Sequence, residues 1–274
     1  MLTLVLYMGG NILEIKTIQI SPFRILMAAL KDILLESNIT FTPEGIKIIN
    51  MDKSHTILVH MFLNAENFEF YNCIKNKIII GVNMFHLFKL ISSIDNEDTL
   101  TIFIEEKHYN DGIVDYLGLK FENGEIRQCK IQKLKLIEPD DDELVCPDVN
   151  FSSIINLPSH DFQKIIRDLT NISDRLEIKS FGNELIFKCK GPFAEAEVIR
   201  SEQDGSLQFS EKPNESKIIQ GEFSLKNLSY FIKCTNLCSN IEMFIENDLP
   251  LVIKYSVASL GNIRLCLAPL PPIN

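Results

Sequence analysis

Apolar residues in the segment from Pro22, PFRILMAALKDIL, recur at Phe23, Leu26, Leu30 and Ile33, the spacing that gathers side chains along one stripe of a helix. DFQKIIRDLTNI, from Asp161, repeats the pattern with Phe162, Ile165, Ile166 and Leu169. Ser21–Pro22 introduces the first and Pro158–Ser159 the second, residues that suit helix starts. Between such segments lie short alternating runs that predict strands, at 46–50, 56–63 and 77–81 and again at 176–179, 185–188 and 250–255. GVNMFHLFKLISSIDNEDTLTIFIEE, from Gly81, and GEFSLKNLSYFIKCTNLCSNIEMFIEND, from Gly221, each read as a strand end, a helix, a loop and a strand.

The two halves therefore match at an offset of about 140 residues, with Phe23 on Phe162, Leu26 on Ile165 and Leu30 on Leu169. Two helices with single apolar stripes and many strands per half predict helices laid on one face of antiparallel sheets. The fold class expected is α+β, two similar domains in tandem, at 12–132 and 153–274. The stretch 133–152, with three successive aspartates and two prolines, reads as a solvated connector. Within it the pair Leu144–Val145 has little around it to bury against, and so offers an apolar step to a partner. Residues 1–11 read as an N-terminal extension: MLTLVLYM is too short to span a bilayer and lacks the basic flank of a secretory signal.

Composition narrows the classes further. Seven scattered cysteines with no CxxC pair fit buried, reduced thiols better than zinc or disulfides. Asp52 with His55, or His160 with Asp161, could act as acid–base pairs, but no nucleophile motif or Gly-rich phosphate loop accompanies them. No enzyme activity and no cofactor are expected.

The net charge of −10 argues against nucleic acid unless the 27 basic residues are sorted onto one surface. Sorting is visible. Arg24 and Lys31 stand seven apart on the first helix, Lys89 marks the second, Lys164 and Arg167 the third, and Lys226 and Lys233 stand seven apart on the fourth. Aromatic residues are not interleaved with these bases, and no helix carries Asn, Gln or Arg set for base edges. Such a pattern predicts sequence-neutral contact with duplex phosphates.

From Leu13 to Pro269 the chain resembles the proliferating cell nuclear antigen family of eukaryotic DNA sliding clamps, through MDKSHTILV at 51–59, FQKIIRDLTNISD at 162–174, NDLPLVIKY at 247–255 and LAP at 267–269. The resemblance implies a homotrimer whose six domains close a ring, helices lining the hole and duplex DNA passing through it. Arg24, Lys31, Lys89, Arg127, Lys164, Arg167, Lys226 and Lys233 match or neighbour the family's inner basic surface, while Ser92 and Asn171 stand where it is usually basic. The resemblance places a partner pocket at Met51, His55, Leu58, Leu144, Cys146, Pro147, Pro250, Ala268 and Pro269, with Cys266 in place of a usual tyrosine. DNA polymerase, flap nuclease, ligase and clamp loader would bind there through short hydrophobic peptide motifs. Subunit contacts would use edge strands near 128–133 and 193–200, and Gly182 stands at the position of the family's ubiquitin-acceptor lysine. The implied location is the nucleus, or a viral replication compartment if the genome is viral. The alternative is a clamp-fold processivity factor or checkpoint-clamp subunit acting as a monomer or heterotrimer.

Overall fold

The computed structural model describes residues 10–140, 144, 149–214 and 217–271. Of the extension expected at 1–11, residues 1–9 fall outside the described residues, as do Val145, Cys146 and Pro147, while Asn11 already opens strand Asn11–Thr17. Helices α1 (Ile20–Ile33), α2 (Met84–Ile91), α3 (Ser159–Thr170) and α4 (Leu225–Phe231) are joined by antiparallel strands, and a 3-10 segment, Ile232–Leu237, follows α4 directly. α1 starts two residues earlier than the segment from Pro22 suggests. Pro22 then sits in the first turn, where its missing N–H has no helical partner to lose. Asn83 caps α2, its Oδ1 accepting from the His86 amide at 3.0 Å, and the Ser224 hydroxyl caps α4 in the same way.

Nine strands form one sheet that crosses from one half of the chain into the other. Its order is Gln208–Glu211, Ser153–Pro158, Asn240–Ile245, Leu251–Val257, Gly261–Leu267, Ile57–Asn64, Gly45–Met51, Glu36–Thr42 and Ile78–Asn83. The first five come from the second half and the last four from the first. The seam is the antiparallel pair Gly261–Leu267 against Ile57–Asn64, in register from Gly261↔Leu63 to Leu267↔Ile57. It runs on through Asn64 N to Leu260 O at 2.8 Å and Ala268 N to Thr56 O at 2.9 Å. At Gly261 the two backbones are so close that a Cβ would fall 2.1 Å from the Phe62 carbonyl oxygen. One buried apolar cluster extends through both halves, with Leu26, Leu30, Phe162, Phe231 and Tyr255 fully enclosed.

A five-stranded sheet (Gln128–Lys135, Tyr116–Asn123, Thr99–Glu105, Asn11–Thr17, Phe70–Cys73) flanks one end, and a four-stranded one (Glu195–Ser201, Glu184–Lys190, Arg175–Phe181, Ile219–Ser224) the other. Strand Gln128–Lys135 continues beyond residue 132, and Ile137 bridges to Gly81, so the start of the stretch read as connector is still sheet. Equivalent hydrogen bonds mark the internal repeat. Ala65 N to Glu44 O (2.8 Å) answers Glu202 N to Asn183 O (3.1 Å), and Ile137 N to Gly81 O (3.0 Å) answers Leu270 N to Glu222 O (2.7 Å). Gly81 thus corresponds to Glu222, one residue away from its sequence alignment with Gly221; the helix caps Asn83 and Ser224 agree with the structural match.

Glu246 pins the entry to the second half. Its carboxylate accepts from the Ser152 amide at 2.8 Å and from Lys217 Nζ at 2.9 Å. Burial works to raise its pKa, but the bonds from Ser152, Lys217 and Asn247 outweigh it and hold the value at about 2. A carboxylate depressed in the folded state contributes stability above its unfolded pKa, near 4.5, and loses it as pH falls toward 2. Glu246→Gln is therefore expected to flatten the acid limb of the stability profile between those values. Urea midpoints across that range measure it, and an unchanged profile would refute the role.

Candidate nucleic-acid and partner interfaces

The helices form one continuous layer. α1 packs against α2 on one side and, across the seam, against α4 and its 3-10 extension, which in turn pack against α3. Lys89, Lys164, Arg167, Lys226 and Lys233 are exposed on this layer, and Arg24 and Lys31 are half-buried. Arg127 is exposed in the turn between Tyr116–Asn123 and Gln128–Lys135, with a left-handed φ of 51°.

Three of these eight cations serve the fold. Arg24 donates to the Ile94 carbonyl at 2.9 Å and to Asn96 Oδ1 at 2.7 Å, fixing the loop after α2. Lys31 and Lys233 hold opposite oxygens of Asp32, an ion-paired bridge between the two halves. Burial alone would raise the Asp32 pKa, but hydrogen bonds and charge from Lys233 and Lys31 bring it below the ordinary value. Lys89, Arg127, Lys164, Arg167 and Lys226 make no ion pair among the described residues.

Lys226 lies on α4 and Lys233 on the 3-10 segment that continues it, both exposed on the helical layer. One sequence expectation needs correction here: aromatic rings are not apart from the bases. Lys89 Nζ lies 4.5 Å from the centre of the Phe85 ring one turn back, Lys31 Nζ 4.9 Å from Phe88 across the helix pair, and Lys233 Nζ 5.4 Å from Tyr230. In each case a lysine ammonium lies over the ring.

On the opposite, outer face, cross-strand pairing assembles an apolar row. Met51 pairs with Leu58, Leu58 with Cys266, Cys266 with Val252 and Val252 with Phe244. Phe151 sets its edge on Phe244, centroids 5.6 Å apart. Val252 and Phe244 were not among the sequence candidates, although strand alternation already sets Val252 on the same face as Pro250. Pro250 and Pro269 are exposed, and Ala268 joins the row through its bond to Thr56. Leu144 lines a groove of about 300 Å³ with Ile49, Lys47, Thr40 and Pro139. The chain leading to it is anchored by Asn38, whose amide donates to the Asp140 carbonyl at 2.6 Å and accepts from the Asp140 N–H at 3.0 Å.

The acid–base pairings weighed in the sequence have other geometry. Asp52 Oδ1 accepts from the Thr56 and Ile57 amides at 2.8 and 2.7 Å, and Oδ2 from the Ser54 amide at 3.2 Å. Burial pushes the Asp52 pKa up, but these bonds and the Ser54 hydroxyl bring it lower overall. The carboxylate shapes a turn that leaves His55 exposed at φ 54°. Asp161 lies 3.9 Å from the Arg200 guanidinium. No group of three or more His, Cys, Asp or Glu residues among the described residues could hold a metal ion, and no helix is long and apolar enough to cross a membrane.

Residues 12–143 match the family description "Proliferating cell nuclear antigen, N-terminal domain", and residues 145–270 its C-terminal domain. The chain belongs to the proliferating cell nuclear antigen family. Similar proteins include a "Probable DNA polymerase sliding clamp 1" of Paramecium bursaria Chlorella virus 1, 31% identical over 94% of this chain and 96% of the relative. "Proliferating cell nuclear antigen" of Chaetomium thermophilum is 32% identical over 94% and 97% of the two chains. The crystal structure of proliferating cellular nuclear antigen from Entamoeba histolytica superimposes with a TM-score of 0.84 at 24% identity, covering 96% of this chain and all (100%) of that one.

Among the edge strands of the three large sheets are Gln128–Lys135 and Glu195–Ser201. The first exposes Ile131, Lys133 and Lys135, the second Glu195, Glu197 and Ile199, with Phe193 75% exposed just before it. Gly182 has φ 57° in the tight turn between Arg175–Phe181 and Glu184–Lys190.

Proposed function

We propose that the chain is a DNA sliding clamp: three copies close a ring around duplex DNA, and the ring tethers a DNA polymerase and other replication or repair proteins without chemistry of its own. The observation that carries this reading is the relation between the seam and the free edges. Leu270 stands where Ile137 does, so strand Gly261–Leu267 corresponds to Gln128–Lys135, with Cys266 in the place of Lys133. Glu202 stands where Ala65 does, so strand Ile57–Asn64 corresponds to Glu195–Ser201, with Leu58 in the place of Glu195. The pair that joins the halves within one chain thus recurs as two open edges, and a second copy supplies what each lacks.

Carried over, the seam pairs Cys266↔Leu58, Leu265↔Val59 and Arg264↔His60 become Lys133 opposite Glu195, Gln132 opposite Ala196 and Ile131 opposite Glu197 of the next copy. A basic edge meets an acidic one, which favours head-to-tail over self-paired association. Repetition of this joint keeps the helical layer on one side, so its cations surround a common space. Contacts to phosphates without base readout permit movement along the duplex. The ring would act in a nucleus or at a viral replication site.

Light scattering on the pure chain is expected to give a mass near three chains; a mass of one chain sinks the ring. Lys164→Ala with Arg167→Ala, both exposed on α3, is expected to leave that mass intact. It should cut polymerase run length by about threefold to tenfold at low to moderate salt, an effect that shrinks as salt rises because two fewer phosphate contacts lower the salt slope. Undiminished stimulation would remove α3 from the DNA surface.

A further inference from the structure

One residue pair along the strands from the apolar row, the outer face changes character. Arg264 is flanked directly by Lys254 on one neighbouring strand and by His60 on the other, and Ile49 lies beyond His60. Lys47, exposed, stands diagonally from His60 on strand Gly45–Met51 and lines the Leu144 groove. Like charges set opposite one another across strands destabilise a sheet. Here three cationic or protonatable side chains stand abreast in a chain of net charge −10.

Compensation is incomplete. Lys254 is paired with Glu242 at 2.9 Å. Arg264 and Lys47 have no ion pair among the described residues, and the shielded His60 Nδ1 has no hydrogen-bond partner. Burial, then the charges of Arg264 and Lys47, lower the His60 pKa, so the imidazole is a neutral group held between two cations. A surface that keeps an electrostatic cost of this kind on an exposed, rigid sheet beside an apolar docking row is arranged for a negative ligand.

We infer that Lys47, His60 and Arg264 form an acidic-flank subsite: peptides docking on the Met51–Leu58–Cys266–Val252 row carry an Asp or Glu that reaches these three side chains. The inference rests on the partner-peptide reading of that row. Two residues along a strand span about 7 Å, so an extended flank reaches the cations two residues beyond its first anchor. The cations lie across the path between the row and the Leu144 groove, whose other wall carries Asp140 and Lys77. The subsite selects among peptides that share the same apolar anchors, and so ranks partners by their flanks. The chain's overall charge works the other way, since a net negative protein should disfavour an acidic peptide unless a local cationic site overrides it.

Fluorescence anisotropy with the full chain tests this, using labelled peptides that share one turn of aliphatic and aromatic anchors. Their flanks would be neutral, acidic on either side, or basic. One of the acidic peptides is expected to bind about threefold to tenfold more tightly than the neutral one at low salt. The advantage should vanish in Lys47→Ala/Arg264→Ala while the neutral peptide is unaffected. Equal binding of acidic and neutral peptides, tighter binding of the basic one, or a preference that survives the double substitution overturns the subsite. Leu58→Ala separates the two readings. If it weakens every peptide while the flanks make no difference, the row stands and the subsite falls. If no peptide binds the wild-type chain, both fall.

Discussion

Ile131→Asp is expected to convert the proposed trimer to single chains at micromolar concentration and to abolish polymerase stimulation. Ile131 is 58% exposed in the isolated chain, so the substitution costs little in folding, within about 0.5 kcal/mol. In the joint it loses an apolar contact and sets a carboxylate opposite Glu197 of the next copy, with Glu195 diagonal to it. Like charges brought together across an interface cost several kcal/mol, on the order of 3, and a ring repeats that cost at every joint. The compensating change Glu197→Lys, made in the Ile131→Asp background, is expected to restore the trimer. Light scattering reads both results, and a thermal melt verifies that each variant is folded. A trimeric Ile131→Asp protein, or failure of the second change to rescue it, would show that the seam's register does not carry over to the edges.

Gly261→Val should destabilise the fold itself by about 3 kcal/mol, the upper range for forcing atoms into a packed site. The new Cβ would sit 2.1 Å from the Phe62 carbonyl oxygen and 2.8 Å from the Leu63 Cα. Both are backbone atoms of the partner strand and cannot turn aside as the end of a side chain can. Because Gly261 pairs with Leu63 at the end of the seam, relief requires the two halves of the chain to part. Gly124 is the control, since a Cβ there meets nothing within 4 Å. Urea denaturation of the two valine variants measures the difference. Equal midpoints would mean that the seam yields easily.

Much of this architecture was legible in the residues because alternation and helical spacing are local signals. The runs at 46–50 and 56–63 became strands Gly45–Met51 and Ile57–Asn64, and the stripe of Phe162, Ile165, Ile166 and Leu169 is the buried face of α3. Alternation gives the face of a strand and not its neighbour. Nothing near residues 57–64 in the sequence announces that residues 261–267 will lie beside them, so the seam and the row through Val252 and Phe244 emerge only in three dimensions. The pairing of Lys233 with Asp32 has the same origin, a contact between halves some two hundred residues apart. The cationic row at His60 and Arg264 was equally hidden, each residue being an unremarkable polar position on its own strand.

Since the nine-stranded sheet crosses the midpoint of the chain without interruption, the two halves of a protomer are held together as one ladder. Its curvature is set once, at folding, and bending it would mean unzipping a ladder that the shared apolar core depends on. Any gap wide enough to admit a double helix must therefore open where one copy meets another, and whatever machine threads DNA through has a single pair of strands to pry apart.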